Sequence, residues 1–170
     1  MSPRQNWILS GFTPQWIIHA ARTTVAAVVS LLAARLVHLP EAYWAAITTV
    51  VILQSTLGAA LTVSAQRFIG TAIGAAFGAL LAARFGSSVI AFGAGIFLMG
   101  LLCAALHLDR AAYRFAGITL AIVMLIAHPQ SHWTIAIHRF LEVSIGIVVG
   151  LLLTALWPER SEILPAQSAT

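Results

Sequence analysis

Long apolar segments follow one another along this chain with few polar residues between them, and this pattern constrains the fold more than any other feature. We place the segments at residues 16–38, 43–60, 67–84, 88–107, 113–128 and 137–157. A helix that crosses a membrane needs about 20 predominantly apolar residues. Charged residues make up only 8% of the chain, against about 25% in a usual soluble domain. The sequence therefore predicts an all-α membrane protein with six transmembrane helices.

The segments divide the chain into three parts. Residues 1–15 are short, mixed and aromatic, so we expect an interfacial segment there. Residues 16–158 are the predicted six-helix transmembrane module, and residues 159–170 are a polar C-terminal tail. We predict no cleavable signal, because Arg22 interrupts the first apolar run and more membrane-type sequence follows it.

The distribution of arginines predicts the orientation, since six spans put both termini on one side. Six arginines lie on the side of the termini and three on the other, namely Arg4, Arg22, Arg67, Arg110, Arg114 and Arg160 against Arg35, Arg84 and Arg139. Cytoplasmic loops carry an excess of basic residues, so we expect both termini in the cytoplasm. The arginines are scattered rather than gathered in a stripe, which argues against nucleic-acid binding.

Two parts of the sequence repeat one another. RFIGTAIGAAFGALL (67–81) and RFLEVSIGIVVGLLL (139–153) share the arginine, the phenylalanine and two glycines, and LLAARLVHLPEAYW (31–44) resembles LLCAALHLDRAAYR (101–114). Chance similarity among apolar helices is the alternative explanation. Because an odd number of helices per copy forces the copies into opposite orientations, we expect two inverted three-helix repeats.

Glycines recur at helical spacing in both repeated stretches. They are Gly70, Gly74 and Gly78 in the first stretch, and Gly146 and Gly150 in the second. In lipid, small residues at such spacing allow helix backbones to approach closely. We interpret these glycines as helix-packing residues.

Arginines inside or at the ends of the apolar segments are the candidates for function. A charge at the bilayer centre costs at least about 2.5–3.5 kcal/mol on insertion scales. Arg22 lies well inside the first segment, whereas Arg67, Arg114 and Arg139 open segments and have the alternative of reaching to the interface. We predict that several of these side chains line a shared passage and attract an anion.

Glu142 is the one acid well inside a predicted span. Its spacing favours a pairing role with Arg139 or His138, but intramembrane carboxylates also mark proton relays, so it is our candidate coupling residue. His128 and His132 flank a loop near His138 without sharing a helix face, which argues against a metal site. Because we find no nucleophile beside a base and no paired carboxylates, we expect neither enzymatic activity nor a cofactor.

Residues 42–75, AYWAAITTVVILQSTLGAALTVSAQRFIGTAIGA, resemble the fusaric acid resistance and aromatic acid exporter family. The matching motif has a Tyr-Trp pair opening the second helix, a glutamine with small polar residues near its end, and Arg-x-x-Gly-Thr-x-x-Gly opening the third. In this chain the motif comprises Tyr43, Trp44, Gln54, Ser55, Gly58, Arg67, Gly70, Thr71 and Gly74. The likeness covers roughly residues 20–158 and includes Arg139, Gly146 and the closing Trp157-Pro158.

This resemblance implies an inner-membrane module that exports aromatic or other organic acids. Arginines would bind the carboxylate of such a substrate, and aromatic side chains would contact its ring. The substrate-binding residues expected on this basis are Arg22, Tyr43, Trp44, Gln54, Arg67, Arg114 and Arg139. Tyr43 and Trp44 have an alternative role as interfacial belt residues.

Larger family members often carry two membrane blocks and a soluble domain, whereas this chain has one predicted block. We therefore expect a homodimer, or a partner membrane subunit, within the lipid. The alternative function is a non-transporting membrane subunit, or an anion-channel-like scaffold, that packs against a partner.

Overall fold

The structure, a computed structural model, describes residues 14–53, 56–126 and 131–157. Within these ranges the chain forms six helices and no strand: α1 (Pro14–Leu36), α2 (Tyr43–Ile52), α3 (Leu57–Phe85), α4 (Val89–Ala105), α5 (Arg110–Leu125) and α6 (His132–Leu156). The predicted all-α class is confirmed. Nearly all of the predicted interfacial segment, the predicted tail, Gln54 and His128 lie outside the described residues.

Three of the described helices are long and apolar enough to cross a membrane. They are Trp16–Leu36, Leu57–Phe85 and His132–Leu156. The other three, α2, α4 and α5, contain 10, 17 and 16 residues, which is less than the about 20 that a transmembrane helix usually needs. Length and composition therefore support three of the six predicted spans.

The described helices turn apolar side chains outward and polar ones inward. Ile90 and Phe97 are 86% and 67% exposed, whereas Arg22, Thr48 and Glu142 are fully buried. Soluble proteins rarely bury charged side chains and rarely expose large apolar patches. An apolar exterior around a polar interior suits a protein whose solvent is lipid.

The predicted boundary between the second and third apolar segments is wrong. α3 begins at Leu57, and Thr56 caps it by accepting a hydrogen bond from a backbone N–H at 3.3 Å. Arg67 is therefore the eleventh residue of α3 (57 to 67) and does not open it. Arg139 is likewise the eighth residue of α6 (132 to 139). Hydropathy treats an arginine as a break, but a helix retains one where other helices supply polar partners.

The helix contacts form two matching sets, one made by α1, α2 and α6 and the other by α4, α5 and α3. α1 packs on α2, α2 on α6 and α6 on α1, while α4 packs on α5, α5 on α3 and α3 on α4. α2 also touches α3 as α5 touches α6, and α3 packs directly against α6. Exchanging α1 with α4, α2 with α5 and α3 with α6 leaves this contact pattern unchanged within the described ranges.

α1 and α4 end in the same way. The second residue after each helix end adopts positive φ, 56° at His38 and 54° at His107. In both turns the N–H of the next residue donates to the carbonyl five residues earlier, at 3.1 Å and 2.9 Å. This is the Schellman arrangement, in which glycine is the usual residue because it has no Cβ. Both exposed histidines therefore occupy left-handed positions that favour glycine.

We expect His38→Gly and His107→Gly each to stabilise the protein by about 0.5–1 kcal/mol, since each change relieves left-handed strain. The melting temperature in detergent should rise by a similar, small amount for both variants. The control is His138→Gly, a change within α6, which should lower the melting temperature because glycine weakens a helix interior. A lower melting temperature for either turn variant would contradict the left-handed assignment.

α3 and α6 run antiparallel where they pack. Phe68 and Phe140, which occupy equivalent places in the two repeated stretches, are in ring contact with centroids 4.9 Å apart. Further towards the C-terminus of α3, Ala79 shares a buried cluster with Ile135, which precedes Phe140 on α6. Equivalent residues meet in this way when two helices are related by a two-fold axis passing between them.

The glycines of the repeated stretches lie at helix contacts. Gly74 of α3 packs against the backbone of Ala116 on α5, and Gly146 of α6 packs against the backbone of Ala45 on α2. A Cβ placed on either glycine would lie closer to those backbone atoms than real Cβ atoms come. Close backbone approach of this kind is how helices associate in lipid.

Candidate functional site

α2 brings two arginines from different helices to one place. Thr48 Oγ1 accepts a hydrogen bond from Nε of Arg67 at 3.1 Å. The centre of the Trp44 ring lies 3.7 Å from the guanidinium carbon of Arg139. Trp44 and Thr48 are four residues apart, so they share a face of α2 with about 6 Å between them along the axis. α2 therefore holds Arg67 of α3 and Arg139 of α6 roughly one helical turn apart.

Two carboxylates hold Arg139. Nη1 of Arg139 lies 3.0 Å from Oε2 of Glu142 and 3.5 Å from Oε2 of Glu41. The indole N–H of Trp44 donates to the same Glu41 oxygen at 3.0 Å. We call this group of residues the arginine cluster, and it consists of Glu41, Trp44, Thr48, Arg67, Phe115, Arg139 and Glu142.

The two carboxylates of the arginine cluster differ in burial. The Glu142 side chain is fully buried, and its Oε1 accepts the backbone N–H of Glu41 at 3.1 Å. The Glu41 side chain is 21% exposed and lies in the connection that precedes α2. Glu142 is thus enclosed in the bundle, whereas the Glu41 side chain is partly exposed at its surface.

Arg67 is bound differently from Arg139. Its guanidinium carbon lies 4.9 Å from the centre of the Phe115 ring, and the residue is 7% exposed. In the part of the chain that the structure describes, no carboxylate lies within ion-pair distance of Arg67. Instead, Arg139 lies near enough to exert electrostatic repulsion on it. Arg67 is therefore a nearly buried cation whose described partners, Thr48 and Phe115, are neutral.

The remaining sequence-predicted residues do not all join the arginine cluster. Arg22 is fully buried, but its Nη2 donates to Thr154 at 3.2 Å. Thr154 lies 15 residues beyond Arg139 on α6 (139 to 154), which is about 22 Å along the helix axis. Arg22 therefore lies apart from the arginine cluster, and its part in substrate binding stays a prediction.

Two further predicted residues lie at the surface. Arg114 is exposed on α5. Tyr43 is 50% exposed, and its ring centre lies 5.5 Å from that of Trp44, at the margin of the arginine cluster. Gln54 lies outside the described residues. Of the seven substrate-binding residues predicted from sequence, the structure brings Trp44, Arg67 and Arg139 together.

Sequence analysis missed three members of the arginine cluster. They are Glu41, Thr48 and Phe115, to which the sequence assigned no role. The signal for Glu41 was present, because it precedes Trp44 by three residues and side chains at that spacing meet at the start of a helix. Thr48 and Phe115 became recognisable only through tertiary contacts.

The described residues contain no cluster of side chains suited to binding a metal ion. Within them, no group of three or more histidine, cysteine, aspartate or glutamate side chains is arranged to hold one. His132 contacts a backbone carbonyl, with Nδ1 3.3 Å from the oxygen of Val123. The chemistry available at the arginine cluster is therefore that of guanidinium groups, carboxylates and aromatic rings.

Curated relatives of this chain are bacterial membrane proteins. Inner membrane protein YeeA of Escherichia coli is 30% identical over 154 residues, which cover 85% of this chain and 42% of that protein. Uncharacterized transporter YdhK is 29% identical over 157 residues in both Escherichia coli and Salmonella typhimurium, covering 87% of this chain and 23% of each relative. The chain thus spans less than half the length of these relatives.

No solved structure matches this chain. A family model does: the one described as fusaric acid resistance protein-like matches residues 24–153, which is most of the chain. The match includes α2, α3, α4 and α5 in full, and every residue of the arginine cluster lies within it. The chain belongs to the fusaric acid resistance protein-like family, which confirms the resemblance read from its sequence.

Proposed function

We propose that this chain is the membrane part of a transporter for small organic anions, and that the arginine cluster binds the anion. Family membership supports transport rather than catalysis. One relative is named as an inner membrane protein and another as a transporter, which supports the same role and an inner-membrane location here. Because the chain spans only part of those relatives, the activity of the whole protein is part of the proposal.

A single observation carries this proposal. Arg67 is 7% exposed, lies in the interior of the longest described helix, and has no carboxylate partner among the described residues. A buried cation without a counterion is costly, because desolvation is not offset by a nearby opposite charge. An anion beside Arg67 would remove that cost. The site therefore suits a negatively charged ligand that binds reversibly.

The rings of the arginine cluster support an aromatic carboxylate as the ligand. Trp44 covers the guanidinium of Arg139, and Phe115 lies against that of Arg67. Arginine binds a carboxylate through parallel N–H donors, while aromatic side chains offer stacking area to a ring. A benzoate-like molecule combines the two groups that these residues recognise.

The repeated helix contacts support two inverted three-helix repeats around this site. α3 and α6 are equivalent helices, run antiparallel and meet at Phe68 and Phe140. Arg67 and Arg139 precede these phenylalanines, so both arginines lie beside the inferred two-fold axis. Transporters built on inverted repeats bind substrate at the repeat interface and expose it alternately to the two sides. Pairing with a second copy or a membrane partner, and cytoplasmic termini, stay predictions.

The proposal is tested with benzoate binding and flux. We expect purified protein in detergent to bind benzoate and Arg67→Gln to weaken binding at least about tenfold, because hydrogen bonds to charged groups contribute about 1.5–3 kcal/mol. In proteoliposomes the wild-type protein should carry benzoate, and the variant should lose most of that flux. The control is Arg84→Gln, an exposed arginine at the end of α3, which should behave as wild type.

Two results would overturn the proposal. If Arg67→Gln bound benzoate as tightly as the wild-type protein, the arginine cluster would not be the anion site. If the folded wild-type protein neither bound nor carried benzoate or other organic anions, a non-transporting membrane subunit would be the better description.

A further inference from the structure

We propose that Glu41 is a displaceable internal ligand, whose carboxylate occupies the place that a substrate carboxylate takes at Arg139. This inference rests on the proposed anion-binding function. It assigns Glu41 a role in substrate exchange: the side chain holds the site closed when it is empty and leaves when an anion enters.

Two donors converge on one oxygen of Glu41. Arg139 Nη1 lies 3.5 Å from Oε2, and the indole N–H of Trp44 donates to the same atom at 3.0 Å. The guanidinium and the indole are held by α6 and α2, not by Glu41 itself. The pair of donors would therefore remain in place for another carboxylate oxygen if the Glu41 side chain moved away.

The two carboxylates on Arg139 are not equivalent, and the difference identifies which one can leave. Glu142 lies one turn from Arg139 on the same helix, contacts it at 3.0 Å and is fully buried. Glu41 contacts the same nitrogen at the longer distance of 3.5 Å, with a side chain that is 21% exposed. The Glu41 carboxylate is therefore accessible from outside the bundle, whereas the Glu142 carboxylate is enclosed by it.

Departure of the Glu41 side chain need not unfold its surroundings. The backbone N–H of Glu41 is anchored separately, on Oε1 of Glu142 at 3.1 Å. Rotation about side-chain torsions can move the carboxylate outward while this backbone contact is kept. The Nε atom of Arg139 is buried and has no hydrogen-bond partner, so the guanidinium also has an unused donor for an incoming anion.

The charges of the arginine cluster are consistent with the replacement of the Glu41 carboxylate by a substrate anion. Arg67 and Arg139 contribute two positive charges, and Glu41 and Glu142 contribute two negative ones. When a monoanion replaces the Glu41 carboxylate, the buried charge stays the same. Without a carboxylate at position 41, the empty site would carry one excess positive charge and would attract a monoanion more strongly.

Glu41→Gln therefore should raise the affinity for benzoate, measured by titration of the purified protein in detergent. We expect at least about a fivefold tighter dissociation constant, and no change for benzamide, which lacks the charge. In proteoliposomes, KM for benzoate should fall and the maximal rate should also fall, because the internal carboxylate no longer helps to expel the ligand. Asp109→Asn is the matched control: it removes one negative charge from an exposed site outside the arginine cluster and should change neither value.

The outcomes separate this inference from the proposed function. If the wild-type protein binds benzoate and Glu41→Gln binds it equally or more weakly, the inference is overturned and anion binding stands. If neither protein binds benzoate, the proposed function is wrong and the inference with it. Should Glu41→Gln not fold, Glu41→Ala also removes the carboxylate that competes for Arg139. That variant should bind benzoate several-fold more tightly, and unchanged or weaker binding would overturn the inference.

Discussion

Gly74→Ala is expected to be among the most destabilising single-methyl changes in this protein, because the added methyl group meets backbone rather than a movable side chain. A Cβ on Gly74 would lie 2.8 Å from Cα of Ala116 on α5 and nearer still to its carbonyl oxygen. No rotamer change relieves such a contact, so α3 and α5 must separate. We expect a loss of about 3 kcal/mol, at the upper end of the range for overpacking, measured as a lower midpoint of unfolding in detergent.

Two other glycines make this test specific. Gly93 on α4 has open space within 4 Å of the place that a Cβ would take, so Gly93→Ala should not destabilise and should gain helix propensity. Gly146→Ala should resemble Gly74→Ala, since its Cβ would lie 2.6 Å from that of Thr48. It should also weaken benzoate binding, because Thr48 holds Arg67. Equal midpoints for the Gly74 and Gly93 variants would show that α3 and α5 are not in backbone contact.

The apolar pattern of the sequence was sufficient to predict the helical class but not the helix boundaries. Each of the six predicted segments overlaps a helix, because runs of apolar residues without a strand-like alternation favour helices. Arg67 was assigned to a helix start, although it lies in the interior of α3. The partner that makes this position tolerable, Thr48, lies 19 residues earlier. A local reading of hydropathy contains no information about such a partner.

The arginine cluster was predicted only in part, and for a similar reason. Composition singled out Arg67, Arg139 and Glu142 because charges in apolar segments are costly and therefore conspicuous. Nothing in the sequence showed that Arg22 contacts the far end of α6 at Thr154. Which arginines share a site depends on the packing of α2 between them, and that is a tertiary property.

Glu142→Gln is expected to cost about 3–5 kcal/mol of stability, the usual effect of breaking a buried ion pair by removing one partner. Glu142 is fully buried and 3.0 Å from Arg139, so the variant leaves a guanidinium inside the bundle with only the longer contact to Glu41. The measurement is the free energy of unfolding in detergent. Glu41→Gln is the matched control and should cost no more than about 1 kcal/mol, because its side chain is partly exposed.

A double variant distinguishes the cost of an unpaired charge from the value of the ion pair itself. Arg139→Leu with Glu142→Leu removes both buried charges, and replacement of a buried pair by apolar residues is often neutral or stabilising. We therefore expect the double variant to be more stable than Glu142→Gln and yet to have lost high-affinity benzoate binding. That combination would mean that Arg139 and Glu142 are kept for anion recognition at the expense of stability. Glu142→Gln could instead lower the free energy of unfolding by less than Glu41→Gln does. In that case the partly exposed carboxylate of Glu41 would be the principal partner of Arg139, and substrate could not readily displace it.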